Sequence, residues 1–212
     1  MNYNEKEVAD CLLIASAVKI NIAHPYTWAS GWKSPIYCDN RKLLSFTNER
    51  DFIKKELCNV IIHKYPQAEA IAGVATAGIA WGAMAADYLR LPYMYVRPKP
   101  KAHGMENQIE GSYLPGQRVV VIEDLISTGK SSLQVCEVLK LAGMEVSGLV
   151  SIFNYGFILA ADAFNNAGIS YTSLTSYEIL ITQAIKKDII TENQLFTLLN
   201  WSRNPSEWKG KE

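Results

Sequence analysis

The sequence predicts an α/β fold in which helices cover a central, mainly parallel β-sheet. From residue 70 onward, short apolar stretches with the length of strands alternate with longer stretches of helical spacing. Strands that alternate with helices favour a parallel sheet covered on both faces. The uncharged run Val119–Ile122 consists of β-branched residues and is typical of an interior strand of such a sheet.

The first 64 residues predict two helices separated by a segment of different composition. Apolar spacing at the start of the chain predicts an amphipathic helix over Asn4–Ile20. The segment 23–46 is rich in Pro, Gly, Ser and aromatic residues, so we expect a small lobe there. Its predicted strands lie near 26–29 and 35–38. Thr47 is the predicted N-cap of a second helix that ends near Lys64.

The rest of the chain alternates between strand and helix. The predicted strands are 70–73, 93–96, 118–122, 145–153 and 170–173. The predicted helices are 79–89, 131–142, 158–165, 178–187 and 192–203. A polar loop, Arg97–Pro115, is too long for a plain connection. Ligands of open α/β sheets bind beyond the carboxyl ends of the strands, so we expect the functional groups in loops at that edge. These loops follow Gly73, Val96, Ile122 and Phe153.

Length and composition limit the class of protein. The chain has 212 residues, which favours one domain with a substantial core. Lys+Arg and Asp+Glu both number 21, so the formal net charge is zero and we do not expect a nucleic-acid binder. The longest uncharged run, Ala70–Ala86, is shorter than the ~20 residues of a membrane-spanning helix. The acidic N-terminus does not resemble a signal peptide, so we expect a cytoplasmic protein without membrane association.

The cysteines give no pattern of a metal or redox site. Because no two of them form a CxxC pair, we expect buried, reduced thiols. The four cysteines are Cys11, Cys38, Cys58 and Cys136. Near the C-terminus, we expect Trp201 and Trp208 to pack a terminal helix and not to bind a ligand.

The segment RVVVIEDLISTGKSS, residues 118–132, carries the strongest chemical signal. Two adjacent acids, Glu123 and Asp124, precede a run of small and hydroxyl residues that leads into a helix. Small residues let backbone N–H groups approach a phosphate, and a helix N-terminus favours an anion. Acids beside such a loop suit a ligand with hydroxyls at one end and a phosphate at the other. Residues 129–131 also match the end of a nucleotide P-loop, but that pattern requires glycine at the position of Asp124.

Residues 118–132 resemble the phosphoribosyl diphosphate (PRPP) signature of the type I phosphoribosyltransferases. That signature is a hydrophobic strand, two acids, two hydrophobic residues and a Thr/Ser/Gly loop. The resemblance implies the type I phosphoribosyltransferase fold, with Glu123 and Asp124 as catalytic residues at the ribose hydroxyls. The PRPP-binding residues that it implies here are Glu123, Asp124, Leu125, Ile126, Ser127, Thr128, Gly129, Lys130 and Ser131.

Two further segments are similar to parts of the orotate phosphoribosyltransferases. YVRPKPKAHGMENQIEG, residues 95–111, resembles their flexible catalytic loop. This implies that Arg97, Lys101 and His103 bind PRPP and that Lys101 is catalytic. IAGVATAGIAWGAMAA, residues 71–86, resembles their pyrophosphate-binding loop. The contacts that it implies come from Thr76, Ala77 and Gly78.

A third segment, SGWKSPIYCDNR at residues 30–41, resembles the N-terminal hood of the same enzymes. The resemblance implies a hood of about residues 1–46 beside the base, a core of about 47–175 and C-terminal helices of about 176–212. It implies that Lys33, Tyr37 and Ser127 bind orotate. The chain departs from some members at Cys38, Pro98, Ala102, Lys130 and Asn154–Tyr155, and we assign no orotate contact to the last two.

The resemblance implies transfer of the phosphoribosyl group of PRPP to orotate, giving orotidine 5′-monophosphate and pyrophosphate in pyrimidine biosynthesis. Mg²⁺ is the implied cofactor, held mainly by oxygens of the substrate and by no strong protein ligand. A homodimer that shares the 97–111 loop across its interface is also implied. Two alternatives stay open: a phosphoribosyltransferase for another base, and a non-catalytic regulator that senses PRPP. The first should lack the 30–41 and 95–111 segments, and the second usually carries an added nucleic-acid-binding module.

Overall fold

The computed structural model describes residues 4–28, 30–99 and 108–210. The helices are α1 (Glu5–Ile14), α2 (Thr47–Lys64), α3 (Gly78–Leu89), α4 (Lys130–Leu141), α5 (Ile158–Asn166), α6 (Tyr177–Lys186) and α7 (Glu192–Arg203), with a 3₁₀ helix at Asn40–Ser45. The strands are β1 (Val18–Ile20), β2 (Tyr26–Thr27), β3 (Lys33–Ser34), β4 (Ile36–Cys38), β5 (Ala70–Val74), β6 (Tyr93–Val96), β7 (Ile109–Glu110), β8 (Arg118–Ile126), β9 (Glu145–Asn154) and β10 (Tyr171–Ser176).

A six-stranded sheet with the order β10-β9-β8-β5-β6-β7 forms the centre of the fold. Neighbouring strands are parallel, except that β7 runs antiparallel to β6. The predicted α/β fold with a mainly parallel sheet is therefore confirmed.

Alternate residues of β8 face two different hydrophobic clusters, as the two-residue period of a strand requires. Val120 and Ile122 pack in the cluster that includes α1, α2, α3, α6, α7 and the hood. Val119 and Val121 pack on the other face, against α4 and α5. All four side chains are fully buried, and each contributes about 1.5–3 kcal/mol of hydrophobic stabilisation. The helices thus cover both faces of the sheet, and the loops at its carboxyl edge are left to form a site.

The hood contains two small antiparallel ladders. In one, Val18 of β1 pairs with Cys38 of β4. In the other, Tyr26 of β2 pairs with Ser34 of β3. The 3₁₀ helix follows β4, and the Asp39 side chain caps it by accepting a hydrogen bond from the Arg41 backbone N–H.

Two details of the predicted N-terminal region are wrong. The first helix ends at Ile14 and not at Ile20, because Val18–Ile20 pairs with β4 and Ser16 takes a left-handed backbone conformation with φ of 47°. Thr47 begins α2 as its first helical residue, but Phe46 occupies the N-cap position and no side chain caps the helix. The predicted end of this helix at Lys64 is confirmed.

The predicted burial of the four cysteines is confirmed, and all four are free thiols. Burial raises the pKa of Cys58 and Cys136 to about 12, which keeps these thiols protonated. Within the ranges that the structure describes, no helix combines the length and apolar character that crossing a membrane requires.

Candidate active site

The carboxyl ends of β5, β6 and β8 lie at one edge of the sheet, because β5 is parallel to both of its neighbours. The segment after β5 contains Thr76 and Ala77, the segment after β6 begins with Arg97, and β8 carries Glu123 and Asp124. Three of the predicted segments therefore meet at this edge.

The acid pair lies within β8 and not after it. The sequence predicts that the strand ends at Ile122, but β9 continues to pair with β8 through Ile126. Strand β5 pairs with β8 only as far as Ile122, so the acids lie where the sheet has a strand on one side alone. Glu123 is 4% and Asp124 9% exposed.

Both acids are held by hydrogen bonds. Glu123 Oε1 accepts a bond of 3.0 Å from the Asp124 backbone N–H, and Glu123 Oε2 accepts one of 3.2 Å from the Ser132 hydroxyl. The Asp124 carbonyl accepts a bond of 2.8 Å from Nδ2 of Asn40 in the hood. The pair is thus fixed from the helix that follows it and from the N-terminal lobe.

Burial sets the charge state of this pair. Loss of solvation raises the pKa of Glu123 well above 4.5, and the neighbouring Asp124 charge raises it further. Burial also raises the pKa of Asp124, while the hydrogen bond with Glu123 and the charge of Arg41 oppose that rise. Two buried carboxylates of this kind gain stability from hydroxyl donors or from a cation.

The loop after β8 has the form of an anion site. Gly129 has φ of 77°, and a Cβ built there would lie 2.8 Å from Cε2 of Phe164, so only glycine fits. Helix α4 begins at Lys130, which is exposed, as is Ser131. The N–H groups in the first turn of a helix have no intrahelical acceptor and point toward an incoming anion.

The segment after β5 lies directly against the acid pair. A Cβ at Gly78 would lie 2.5 Å from the Ile122 carbonyl oxygen and 3.4 Å from Cα of Glu123. Only glycine therefore allows the start of α3 to approach β8 this closely. The peptide bond between Ala75 and Thr76, just before this contact, is cis.

Arg97 is held at the end of β6. Its guanidinium lies 3.6 Å from a carboxylate oxygen of Glu110 in β7. Arg97 lines a small cavity of about 30 Å³ together with Ala75 and with Ser131 in the first turn of α4, so the segments after β5, β6 and β8 meet at this space. Lys101 and His103, the other predicted residues of this segment, lie outside the described residues.

Of the three predicted base-binding residues, Lys33 and Tyr37 lie in the hood and are not joined to the acids, whereas Ser127 directly follows β8 in the loop before α4. Lys33 Nζ donates a bond of 2.8 Å to the Thr27 hydroxyl. Tyr37 is 41% exposed, and its ring centroid lies 5.6 Å from that of Tyr26. Among the described residues, no hydrogen bond or ion pair links Lys33 or Tyr37 to the acid pair. Cys38, which neighbours Tyr37 in β4, is buried on the opposite face of the strand.

Three residues without a predicted role contact or influence the acid pair: Asn40, Arg41 and Ser132. Arg41 binds the Asp39 carboxylate at 2.6 and 3.1 Å and holds the pKa of Asp39 below its usual value. Two of the three, Asn40 and Arg41, lie in the SGWKSPIYCDNR segment. The contact of Asn40 with Asp124 joins residues 84 positions apart, so it gives no local signal in the sequence. Ser132 directly follows the predicted loop.

The fold and this edge of the sheet define a type I phosphoribosyltransferase, and residues 34–159 match the family model of the phosphoribosyl transferase domain. An orotate phosphoribosyltransferase of Cytophaga hutchinsonii is 52% identical, over 99% of this chain and 100% of that protein. One of Bacillus subtilis is 50% identical, over 93% of this chain and 92% of that protein. The chain belongs to the orotate phosphoribosyltransferase family, so the resemblance seen in the sequence is confirmed.

Solved structures agree with this assignment. The orotate phosphoribosyltransferase of Aeropyrum pernix superposes with a TM-score of 0.72 at 30% identity, over 85% of this chain and 99% of that one. The UMP synthase of Leishmania donovani superposes with a TM-score of 0.80 at 28% identity, over 93% of this chain and 43% of that one.

Proposed function

We propose that this protein transfers the phosphoribosyl group of PRPP to orotate, giving orotidine 5′-monophosphate and pyrophosphate in pyrimidine biosynthesis. The observation that carries the proposal is the buried acid pair Glu123–Asp124. The loop Ser127–Gly129 before α4 follows it, and the start of α3 at Gly78 packs against it. Relatives that are about half identical over nearly the whole chain favour orotate as the base.

The acid pair is proposed to bind the ribose hydroxyls of PRPP. Hydroxyl donors would offset the cost of keeping two adjacent carboxylates buried, and the carboxylates would favour positive charge on the ring. The 5′-phosphate then falls on the loop Ser127–Ser131, where the first turn of α4 supplies backbone donors. Leu125 and Ile126, which the resemblance also assigns to PRPP binding, end β8 between the acid pair and this loop.

The pyrophosphate group is proposed to lie between two segments. Thr76, Ala77 and Gly78 would bind it through backbone N–H groups, since close backbone approach is what small residues permit. Arg97, Lys101 and His103 would neutralise its charge as it leaves. In the hood, Lys33 and Tyr37 are assigned to orotate, together with Ser127 of the phosphate loop.

The reaction is a displacement at the anomeric carbon of the ribose. The bond from that carbon to pyrophosphate breaks and leaves its electron pair on pyrophosphate. A bond from the carbon to a ring nitrogen of orotate forms, and that nitrogen loses its proton to solvent or to the departing pyrophosphate. The transition state resembles an oxocarbenium ion, so the protein needs to position the two substrates and stabilise charge, without a covalent intermediate.

The donor set of the site suits Mg²⁺ bound through the substrate. Among the described residues, no group of three or more His, Cys, Asp or Glu side chains is placed to hold a metal ion. Mg²⁺ keeps several water or substrate ligands and needs only one or two carboxylates. Oxygens of PRPP would hold most of the ion, with Glu123 and Asp124 as the nearest carboxylates. Bound Mg²⁺ would supply charge that offsets the pyrophosphate group.

We further propose that the chain is a single domain that works in the cytoplasm as a homodimer, with the 97–111 loop shared across the interface. The four free, buried thiols support a reducing compartment. Family membership supports the dimer.

The proposed function is tested by following orotate absorbance with PRPP and Mg²⁺ for the wild type, Lys101→Ala and Lys55→Ala. Lys55 is an exposed residue of α2 and serves as the control for loss of a surface lysine. We expect the wild type and Lys55→Ala to consume orotate and Lys101→Ala to be slowed about 100-fold or more. If PRPP binds but orotate is not consumed, the assignment of orotate as the base is wrong, and other bases become the substrates to test. If PRPP does not bind, the proposed function is wrong.

A further inference from the structure

The side chain of Asn40 joins the hood to the backbone of the acid pair. It opens the 3₁₀ helix and is fully buried. Its Nδ2 donates a bond of 2.8 Å to the Asp124 carbonyl, and its Oδ1 accepts a bond of 3.0 Å from the Cys38 thiol. The amide is therefore satisfied on both sides, once within the hood and once by the core.

This contact falls where the sheet offers least support to the acids. Strand β5 stops pairing with β8 at Ile122, two residues before Asp124. The hood amide reaches the backbone of the acid segment just beyond that point. A buried backbone carbonyl that loses its donor costs free energy, so the position of the Asp124 backbone depends on Asn40.

We propose that Asn40 is a positioning residue, which sets the Asp124 backbone relative to the hood and so the spacing between the ribose and base sites. The inference rests on the proposed function, because the acids bind ribose and the hood binds the base in that proposal. Asn40 is fully buried, and its side-chain amide bonds Cys38 and the Asp124 backbone, so it is not placed in the substrate-binding machinery. It acts on PRPP through Asp124.

The chemistry of the contact requires an amide. Only an amide can accept from the thiol through its oxygen and donate to the carbonyl through its nitrogen. Leucine has nearly the same shape but offers neither group. Cys38 can be varied separately: serine keeps a donor to Asn40 Oδ1, and alanine removes it while leaving the bond between Asn40 and Asp124.

The main test compares Asn40→Leu with Tyr177→Phe. Tyr177 is also buried, and its hydroxyl donates a bond of 3.0 Å to a backbone carbonyl, that of Leu198, so its loss is a matched defect elsewhere in the fold. For both variants, the unfolding midpoint is measured, and the affinity for PRPP is measured by titration calorimetry in the presence of Mg²⁺. Steady-state kinetics then give KM and kcat for each substrate. We expect both variants to lose stability, but only Asn40→Leu to bind PRPP about tenfold more weakly.

A second pair keeps the test decisive if Asn40→Leu does not fold. Cys38→Ala removes the donor to Asn40 Oδ1, so the Asn40 side chain is held less firmly and PRPP should bind about twofold to threefold more weakly. Cys38→Ser keeps a donor and should retain the wild-type affinity for PRPP. Unchanged PRPP affinity in a folded Asn40→Leu, or in Cys38→Ala when Asn40→Leu does not fold, overturns the inference. Because the affinity measurement needs no base, it stays valid if orotate proves not to be the substrate. Absence of PRPP binding by the wild type would instead be a failure of the proposed function.

Discussion

The Ser132 hydroxyl donates a hydrogen bond of 3.2 Å to Oε2 of Glu123, nine residues earlier in the chain. Both side chains are buried, so water does not compete for this bond. Ser132 lies in the first turn of α4, which also presents its N–H groups to the proposed phosphate site. One bond therefore connects the proposed ribose-binding acid to the proposed phosphate-binding helix.

Ser132→Ala should shift the acid limb of the pH–activity profile to higher pH. The hydrogen bond from Ser132 lowers the pKa of Glu123, so its loss raises that pKa and leaves less ionised Glu123 at a given pH. We expect kcat/KM for PRPP to fall about tenfold near the acid limb. Ser132→Thr keeps a hydroxyl and should retain most of the wild-type profile. A profile that only falls in height, without moving along the pH axis, would show that Ser132 does not act through Glu123.

Glu123→Gln should stabilise the free protein at neutral pH while weakening PRPP binding. The pKa of Glu123 is higher in the folded protein than its ordinary value of 4.5. The contribution of this group to the free energy of unfolding is therefore full below pH 4.5 and is lost as the pH rises through the folded-state pKa. Glutamine stays neutral at every pH. Relative to wild type, the free energy of unfolding of the variant should therefore rise by on the order of 1 kcal/mol or more as the pH increases above 4.5. Urea unfolding at pH 5 and pH 8 measures the gain.

The control for this experiment is Glu145→Gln, which neutralises an exposed acid at the start of β9. It should leave the difference between pH 5 and pH 8 close to that of wild type. A Glu123→Gln protein that is no more stable than wild type at pH 8 would mean that burial does not strain this carboxyl.

Local patterns were enough to predict the parts of the fold that depend on near neighbours. The strand Tyr93–Val96 and the helix Glu192–Arg203 have the predicted bounds. In the structure a capping box at Thr191 fixes the start of that helix through residues close in sequence. The acid pair was also visible, since a hydrophobic strand and a small-residue loop enclose it in one segment.

Features that depend on distant partners could not be predicted in this way. Val18–Ile20 has helical spacing with the residues before it, but pairing with β4, 16 to 20 residues later, makes it a strand. The contact of Asn40 with Asp124 also needs the folded hood. The end of β8 depends on how far β9 runs beside it, which the sequence of β8 alone does not contain.

Trp201→Phe should weaken orotate binding more than PRPP binding. Trp201 is fully buried in α7, as predicted for a residue that packs a terminal helix, and its Nε1 donates a bond of 3.1 Å to the Lys33 carbonyl. This bond holds the strand that carries the proposed base contact. Trp81 is equally buried, but its Nε1 has no hydrogen-bond partner among the described residues. Trp81→Phe therefore removes the same volume without removing a hydrogen bond.

Steady-state kinetics for both variants separate the two effects. We expect Trp201→Phe to raise KM for orotate about fivefold to tenfold, the equivalent of one lost hydrogen bond, and to leave KM for PRPP near wild type. Trp81→Phe should lose stability through its cavity but keep both KM values. Equal increases of the orotate KM in the two variants would show that core volume, and not the bond to Lys33, sets the position of the hood.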